Sequence, residues 1–379
     1  MSSGTKKLLS MIMATGIAIG FIHTIYTGKK SNFEDAANFG AATAGVMAKV
    51  EGYPIHCNDM RDAADCLAGV RARHAQNTVL WLGNSQVHAV NQLHEGETNA
   101  PPLIFNALKS NDLDLVTFSQ PNANLQEHYL LFEYLQHRLP LKVLILPAVF
   151  DDMREDGLRK EIAETLADAN TKTALEKTAI GQKIILKAES SKAMVDQDTA
   201  GLANTLQQKV ERVLNAGLEK HSQLWAARPE ARGRMLGSLY VLRNTVLGIK
   251  PTSKRKMIRS RYQDNIAAME AILASVTLKH LAVVIYIVPL RNDVDTPYVD
   301  GEYQQFKNEV QRLAERYDAT FANLENLVPA HLWCSKAATS AGGGMELDFM
   351  HFQAGGHQLL ADQLTGLVKL AWAHRINKP

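Results

Sequence analysis

Thr78-Val79-Leu80-Trp81-Leu82 is a short run of apolar and β-branched residues that ends at Gly83, with Asn84-Ser85-Gln86 directly after it. A continuous apolar run of that length, without alternation, is the pattern of a strand covered on both faces. The same pattern recurs along the chain. Leu113–Phe118 is a second strand, ending at Ser119 and Gln120, and Leu125–Leu139 then carries helical periodicity behind a cap at Asn122 or Asn124. Val143–Leu146 is a third strand, stopped by Pro147, and Leu281–Val288 a fourth, ended by Pro289. Residues 262–277 and 303–317 are helical, Thr320–Asn323 is a short fifth strand, and the last helix runs over 356–373. Strands that alternate with helices predict an α/β fold with a parallel sheet and helices on both faces.

The expected arrangement is flavodoxin-like, with the ligand site outside the carboxyl ends of the strands. The alternation breaks over 155–260, where polar, helix-patterned stretches such as Leu202–Lys220 predict a helical insertion at the surface. Residues 31–76 form a helical and loop-rich lead-in, so the expected division is 1–30, 31–76 and 77–379. The first of these is distinct. Lys6 and Lys7 precede an apolar run from Leu8 to Tyr26, broken by Ser10, Thr15, His23 and Thr24, and Lys29 and Lys30 follow. About 20 such residues span a bilayer as a helix, so an uncleaved single-pass transmembrane anchor is expected. A cleaved signal peptide is the competing reading. With the anchor in place, the rest of the chain lies on the periplasmic or extracellular side of the cytoplasmic membrane.

Composition narrows the function classes. The net charge of +2 gives no reason to expect a nucleic acid partner, and apolar residues at 46% allow a large core. Three cysteines show no CxxC pair and no zinc spacing, and no metal or other cofactor is expected. Cys57 and Cys66 can close a small disulfide in an oxidising compartment, which leaves Cys334 as a buried thiol.

Two motifs carry chemistry. In Gly83-Asn84-Ser85-Gln86 a serine stands at the carboxyl edge of the sheet, where N–H groups at a helix start can meet an oxyanion. The bland alternative is an ordinary turn and cap. In Asp348-Phe349-Met350-His351-Phe352, followed by Gly355-Gly356-His357, a carboxylate and an imidazole three residues apart share one side of a turn. A serine hydroxyl needs a base, histidine suits that role, and a carboxylate fixes its tautomer. Ser85 is therefore the candidate nucleophile, His351 its base and Asp348 the orienting group. The bland readings of the late motif are a helix-cap aspartate and a satisfied histidine, and a metal site of Asp348, His351 and His357 is a further one. His88 and His94 read as helix-face residues.

Together the motifs resemble the SGNH (GDSL-like) hydrolase superfamily, with a Gly-Asp-Ser-like turn after the first strand and Asp-x-x-His before a C-terminal helix. The resemblance covers about 78–150 and 262–373. It departs from the pattern at Asn84, where Asp is usual. It also implies two further oxyanion donors, a Gly after the second strand and an Asn after the third. Here those places hold Ser119–Asn124 and Ala148–Arg154. Asn84, Asn122 or Asn124, Asp152 and Arg291 are the remaining candidates for oxyanion or substrate contact. For Asp152 the alternative is a structural pair with Arg154, and for Arg291 a salt bridge. The layout is most similar to membrane-anchored members that accompany membrane-bound O-acyltransferases, such as the D-alanine transfer protein of teichoic-acid systems and the alginate O-acetylation proteins. That resemblance implies an O-acyl transferase or esterase acting on a cell-envelope polysaccharide, with a polytopic O-acyltransferase as partner. The alternative is a non-catalytic assembly or polymer-binding subunit on the same fold.

Overall fold

A computed structural model describes residues 43–57, 60, 62–200, 252–337 and 345–377, with the backbone alone over 191–200. The transmembrane segment expected over 1–30 lies outside the described residues, as does much of the insertion. Among the described residues, no helix is long and apolar enough to cross a membrane.

The strands in chain order are β1 (Thr43–Gly45), β2 (Lys49–Val50), β3 (Tyr53–Pro54), β4 (His56–Cys57), β5 (Thr78–Gly83), β6 (Ala89–Asn91), β7 (Asp114–Ser119), β8 (Leu141–Ala148), β9 (Ala282–Ile287), β10 (Thr320–Asn323), β11 (Trp333–Ala337) and β12 (Met345–Phe352). The helices are α1 (Ala63–Ala72), α2 (Ser85–His88), α3 (Ala100–Leu108), α4 (Leu125–Leu135), α5 (Lys160–Ala163), α6 (Ala169–Glu176), α7 (Ala179–Ala200), α8 (Arg259–Leu278), α9 (Asp300–Arg316) and α10 (Ala354–Ile376).

Six strands form one sheet in the order β10-β9-β8-β5-β7-β4, every neighbouring pair parallel. The five strands read from the sequence stand in the order 2-1-3-4-5, the flavodoxin-type winding, which reverses between β5 and β8. Alternate residues explain the continuous apolar runs. Leu80, Leu82, Leu144, Leu146, Val283 and Ile285 pack with α1, α4, α8 and α9 on one face. Val79, Trp81, Val143, Ile145 and Val284 pack with α3 and α10 on the other. The central strands β5, β8 and β9 are thus buried on both faces, while the edge strand β10 is only partly covered.

Two expectations are corrected and a third is extended. The lead-in carries the helix α1, as expected, and among its described residues four short strands as well. Its β4 joins the main sheet beside β7, and its β1 pairs antiparallel with β6, just past the Ser85 turn. Pro147 does not stop the third strand, which continues to Ala148. Pairing with β5 ends at Ile145, while pairing with β9 runs on, so the missing N–H falls where β8 has one neighbour. The Asp348–His351 turn lies within a strand. Trp333 pairs with Phe352 and Ser335 with Leu347, so Asp348 to His351 bulge out opposite Cys334 alone.

Candidate active site

Asn84 makes the turn that presents Ser85. It caps α2 in extended conformation, its Oδ1 accepting from the Gln86 N–H at 3.0 Å and its carbonyl from the Val87 N–H at 3.1 Å. The turn is packed tightly enough that a Cβ on Gly83 would collide with Val87 Cγ2. Ser85 is consequently the first helical residue at the carboxyl end of β5, beside the switch point of the sheet.

Gln86 then joins three loops. Its Nε2 donates to the carbonyl of Pro289, after β9, at 3.0 Å and to that of Met350, inside the β12 bulge, at 2.9 Å. The late motif is thereby drawn to the serine. His351 Nε2 lies 3.0 Å from Ser85 Oγ, and His351 Nδ1 lies 3.0 Å from Asp348 Oδ2. The other carboxylate oxygen accepts the N–H groups of Met350 at 2.9 Å and His351 at 3.0 Å, and Asn91 Nδ2 donates to Oδ2 at 3.3 Å. Exposure is 8% for Ser85, 4% for His351 and 1% for Asp348. Burial pushes the Asp348 carboxyl up. The His351 charge, its hydrogen bond and the Met350 N–H outweigh that and hold it at about 2. An ionised carboxylate only accepts, so His351 carries its proton on Nδ1 and turns the Nε2 lone pair to the Ser85 hydroxyl.

The metal reading of the late motif is corrected, because His357 faces elsewhere. Its Nδ1 accepts from the Ala100 N–H at 3.3 Å and its Nε2 donates to the Ala89 carbonyl at 3.1 Å, tying α10 to α3 and β6. Burial, more than any other cause, lowers its pKa to about 4, and it is neutral. Among the described residues, no group of three His, Cys, Asp or Glu side chains could hold a metal ion.

Four of the five remaining candidates have structural partners. Asn84 is occupied as a cap, and its Nδ2 donates to Asp152 Oδ2 at 3.0 Å and Oδ1 at 3.3 Å. Asn124 caps α4, accepting from the N–H groups of Gln126 and Glu127 and donating to the Gly157 carbonyl at 2.6 Å. Asn122 is exposed in left-handed conformation, with φ of 53°. The expected Asp152–Arg154 pair does not form, since Arg154 pairs with Asp151 and Asp152 turns inward to Asn84. Arg291 is held by both oxygens of Asp293, at 2.7 and 2.9 Å, and donates to the Cys334 carbonyl at 2.8 Å. The alternative reading of Arg291 is a surface salt bridge; the bridge is there, but Arg291 is buried.

Other assignments shift as well. His94 is exposed and outside any helix. His88 ends α2 but is buried, its Nδ1 2.6 Å from Ser119 Oγ, which also lies 3.0 Å from His56 Nε2. His56 Nδ1 continues the chain to Thr117 Oγ1 at 2.8 Å. Burial lowers the pKa of His56 to about 3 and that of His88 well below its ordinary value, so both rings are neutral. Cys57 and Cys66 are bridged, and Cys334 is half-buried rather than buried. Sequence reasoning missed Asn91, His56 and the stitching role of Gln86. Only Gln86 had a local signal, its place in the serine motif.

No family model and no curated protein matches this chain. Among solved structures, it is similar to the acetylxylan esterase Axe2 of Geobacillus stearothermophilus, at 10% identity over 78% of this chain and 95% of that one, with a TM-score of 0.36. It is also similar to the M. smegmatis aryl esterase, at 10% identity over 78% of this chain and 99% of that one, with a TM-score of 0.33. Likeness of that degree decides nothing about the chemistry of this chain.

Proposed function

We propose that this chain is a serine-dependent acyl transferase or esterase of the SGNH type, working through an acyl-Ser85 intermediate. One observation carries the reading: Ser85 Oγ, His351 Nε2, His351 Nδ1 and Asp348 Oδ2 lie in a line of two 3.0 Å contacts. Ser85 Oγ attacks the acyl carbon while its proton passes to His351 Nε2. The tetrahedral intermediate collapses, the bond to the leaving oxygen breaks, and His351 returns the proton to that oxygen. An acceptor hydroxyl then attacks the acyl carbon as its proton passes to His351, the bond from that carbon to Ser85 Oγ breaks, and His351 returns the proton to Ser85 Oγ. Asp348 steadies the imidazolium in both halves without itself taking the proton.

The oxyanion needs donors. The N–H groups of Gln86 and Val87 are taken by the cap, so we assign the role to the Ser85 N–H at the start of α2.

The acceptor we favour is a sugar hydroxyl of a cell-envelope polysaccharide. An enzyme outside the cytoplasmic membrane has no access to cytoplasmic acyl-CoA, so a membrane-bound O-acyltransferase would deliver the acyl group. The segments over 1–30 and 155–260 are its docking surfaces in this reading. The engaged side chains of Asn84 and Asn124 favour a second reading, a non-catalytic polymer-binding subunit, because they remove two expected donors.

Ser85→Ala separates the two. On the acyl-transfer reading it abolishes turnover of an acyl ester and labelling by a serine-directed fluorophosphonate. Wild-type turnover in that variant overturns the nucleophile assignment. An acyl adduct on Ser85, found by mass spectrometry with the membrane partner present, would establish the acyl-enzyme, and its decay to an acylated sugar rather than to free acid would establish transfer.

A further inference from the structure

Two departures from the SGNH pattern meet in space. The pattern has Asp where this chain has Asn84, and Asn in the region where it has Asp152. Asn84 and Asp152 are 68 residues apart and touch at 3.0 and 3.3 Å. The direction of that contact is set locally. Asn84 Oδ1 is committed to the Gln86 N–H, so its Nδ2 must face Asp152, whose two oxygens accept.

Asp152 is placed firmly. It is 3% exposed, and it reaches from the loop after β8 to the turn after β5, across the point where the sheet reverses its winding. Asn265, on α8, clamps that loop. Its Nδ2 faces the carbonyls of Asp152 at 3.4 Å, Met153 at 3.3 Å and Glu155 at 2.9 Å, and its Oδ1 accepts from the Leu125 N–H. The series Asn265, Asp152 loop, Asn84, Ser85 thus connects a long packed helix to the nucleophile.

We infer that Asn84 and Asp152 are one exchanged donor–acceptor pair, and that Asp152 is a positioning residue acting on Ser85 through Asn84. This rests on the acyl-Ser85 reading. The physical ground is that the contact is symmetric to interchange. An aspartate caps a helix as well as an asparagine does, and its second oxygen accepts from an asparagine amide placed at 152. The two single changes differ. Asn84→Asp removes the donor and sets carboxyl against carboxyl in a buried place, whereas Asp152→Asn keeps an amide oxygen that can still accept from Asn84 Nδ2.

The test uses the full-length chain, with p-nitrophenyl acetate turnover, fluorophosphonate labelling rate and thermal midpoint as readouts. Asn84→Asp and Asp152→Ala should each lower kcat and labelling by about 10- to 100-fold with little change in KM, as expected of a displaced nucleophile. Asp152→Asn, which keeps an acceptor for Asn84, should stay within about threefold of wild-type rates. The double exchange N84D/D152N should restore the rates lost in Asn84→Asp, together with the melting midpoint, to within about threefold of wild type. The proposal is overturned if the double exchange is as impaired as Asn84→Asp, or if folded Asn84→Asp and Asp152→Ala keep wild-type rates. Ser85→Ala runs as a separate arm. Loss of turnover there with normal rates in Asn84→Asp and Asp152→Ala sinks the pair alone, whereas wild-type turnover in Ser85→Ala sinks the acyl-enzyme reading and the positioning role with it.

Discussion

Asp348 accepts four hydrogen bonds, two from backbone N–H groups on Oδ1 and two from His351 and Asn91 on Oδ2. This arrangement forces the outcome of Asp348→Asn. The amide oxygen must stay with the two N–H groups, which turns the new NH₂ towards His351 Nδ1. Nδ1 then accepts, Nε2 carries the proton, and the ring can no longer take one from Ser85. We expect kcat to fall by about 10⁴, the scale seen for this change in the serine-protease triad, with the fold kept. A loss smaller than tenfold in steady-state turnover would show that Asp348 does not set the tautomer. The same carboxyl links stability to pH. Its folded value, about 2, lies below its ordinary 3.8, so its contribution is present above about 4 and is lost as pH falls towards 2. The shift corresponds to roughly 2 kcal/mol, and acid-unfolding curves of Asp348→Asn should lack that limb. Ser85, Asp348 and His351 were legible because their types and flanking residues are local signals. Asn84 and Asn124 read both as caps and as oxyanion donors, because the two roles are spelled with the same residue, and the structure shows the caps. Asn91 was not legible, since its partner is 257 residues away.

At the scale of elements, the Gly83–Val87 contact decides how sharply the chain leaves β5. A methyl group at 83 would strike Val87 Cγ2, while Pro147 Cγ at 3.7 Å is in ordinary contact. Relief requires α2 to move, and α2 carries both Ser85 and the Gln86 stitch to Met350. Gly83→Ala should therefore cost about 1–3 kcal/mol in denaturant unfolding, as overpacking does. It should also slow fluorophosphonate labelling of Ser85 at least tenfold, since small displacements of a nucleophile are costly. Normal labelling in a destabilised variant would mean that the turn tolerates the shift. The longer strands were readable because both of their faces are buried and their apolar runs are unbroken. β4, with two residues, is too short to show a period, and β11 and β12 are hidden by the bulge that makes them useful.

Across the whole molecule, the lead-in proves to be a support for the site. β4 lies at the edge of the sheet, and its His56 begins the buried chain through Ser119 to His88, the last residue of the helix that Ser85 opens. Two residues of parallel pairing hold such a strand weakly, and the Cys57–Cys66 bridge pins it to α1. Closing a loop of 9 residues in sequence separation removes unfolded-state entropy equivalent to about 2–3 kcal/mol in the chain-entropy model. For a domain of this size that corresponds to a melting midpoint lower by roughly 3–5 °C when both cysteines become serine. Activity should fall by less than about tenfold at 25 °C, because the Ser85–His351–Asp348 line rests on β5, α2 and β12 and His56 supports it only from behind. Reductant should reproduce both effects on the wild-type chain and leave the double serine variant unchanged. If reductant left the wild-type midpoint where it was, the bridge would not be what secures β4, and the parallel pairing with β7 together with the His56–Ser119 contact would have to hold that edge unaided.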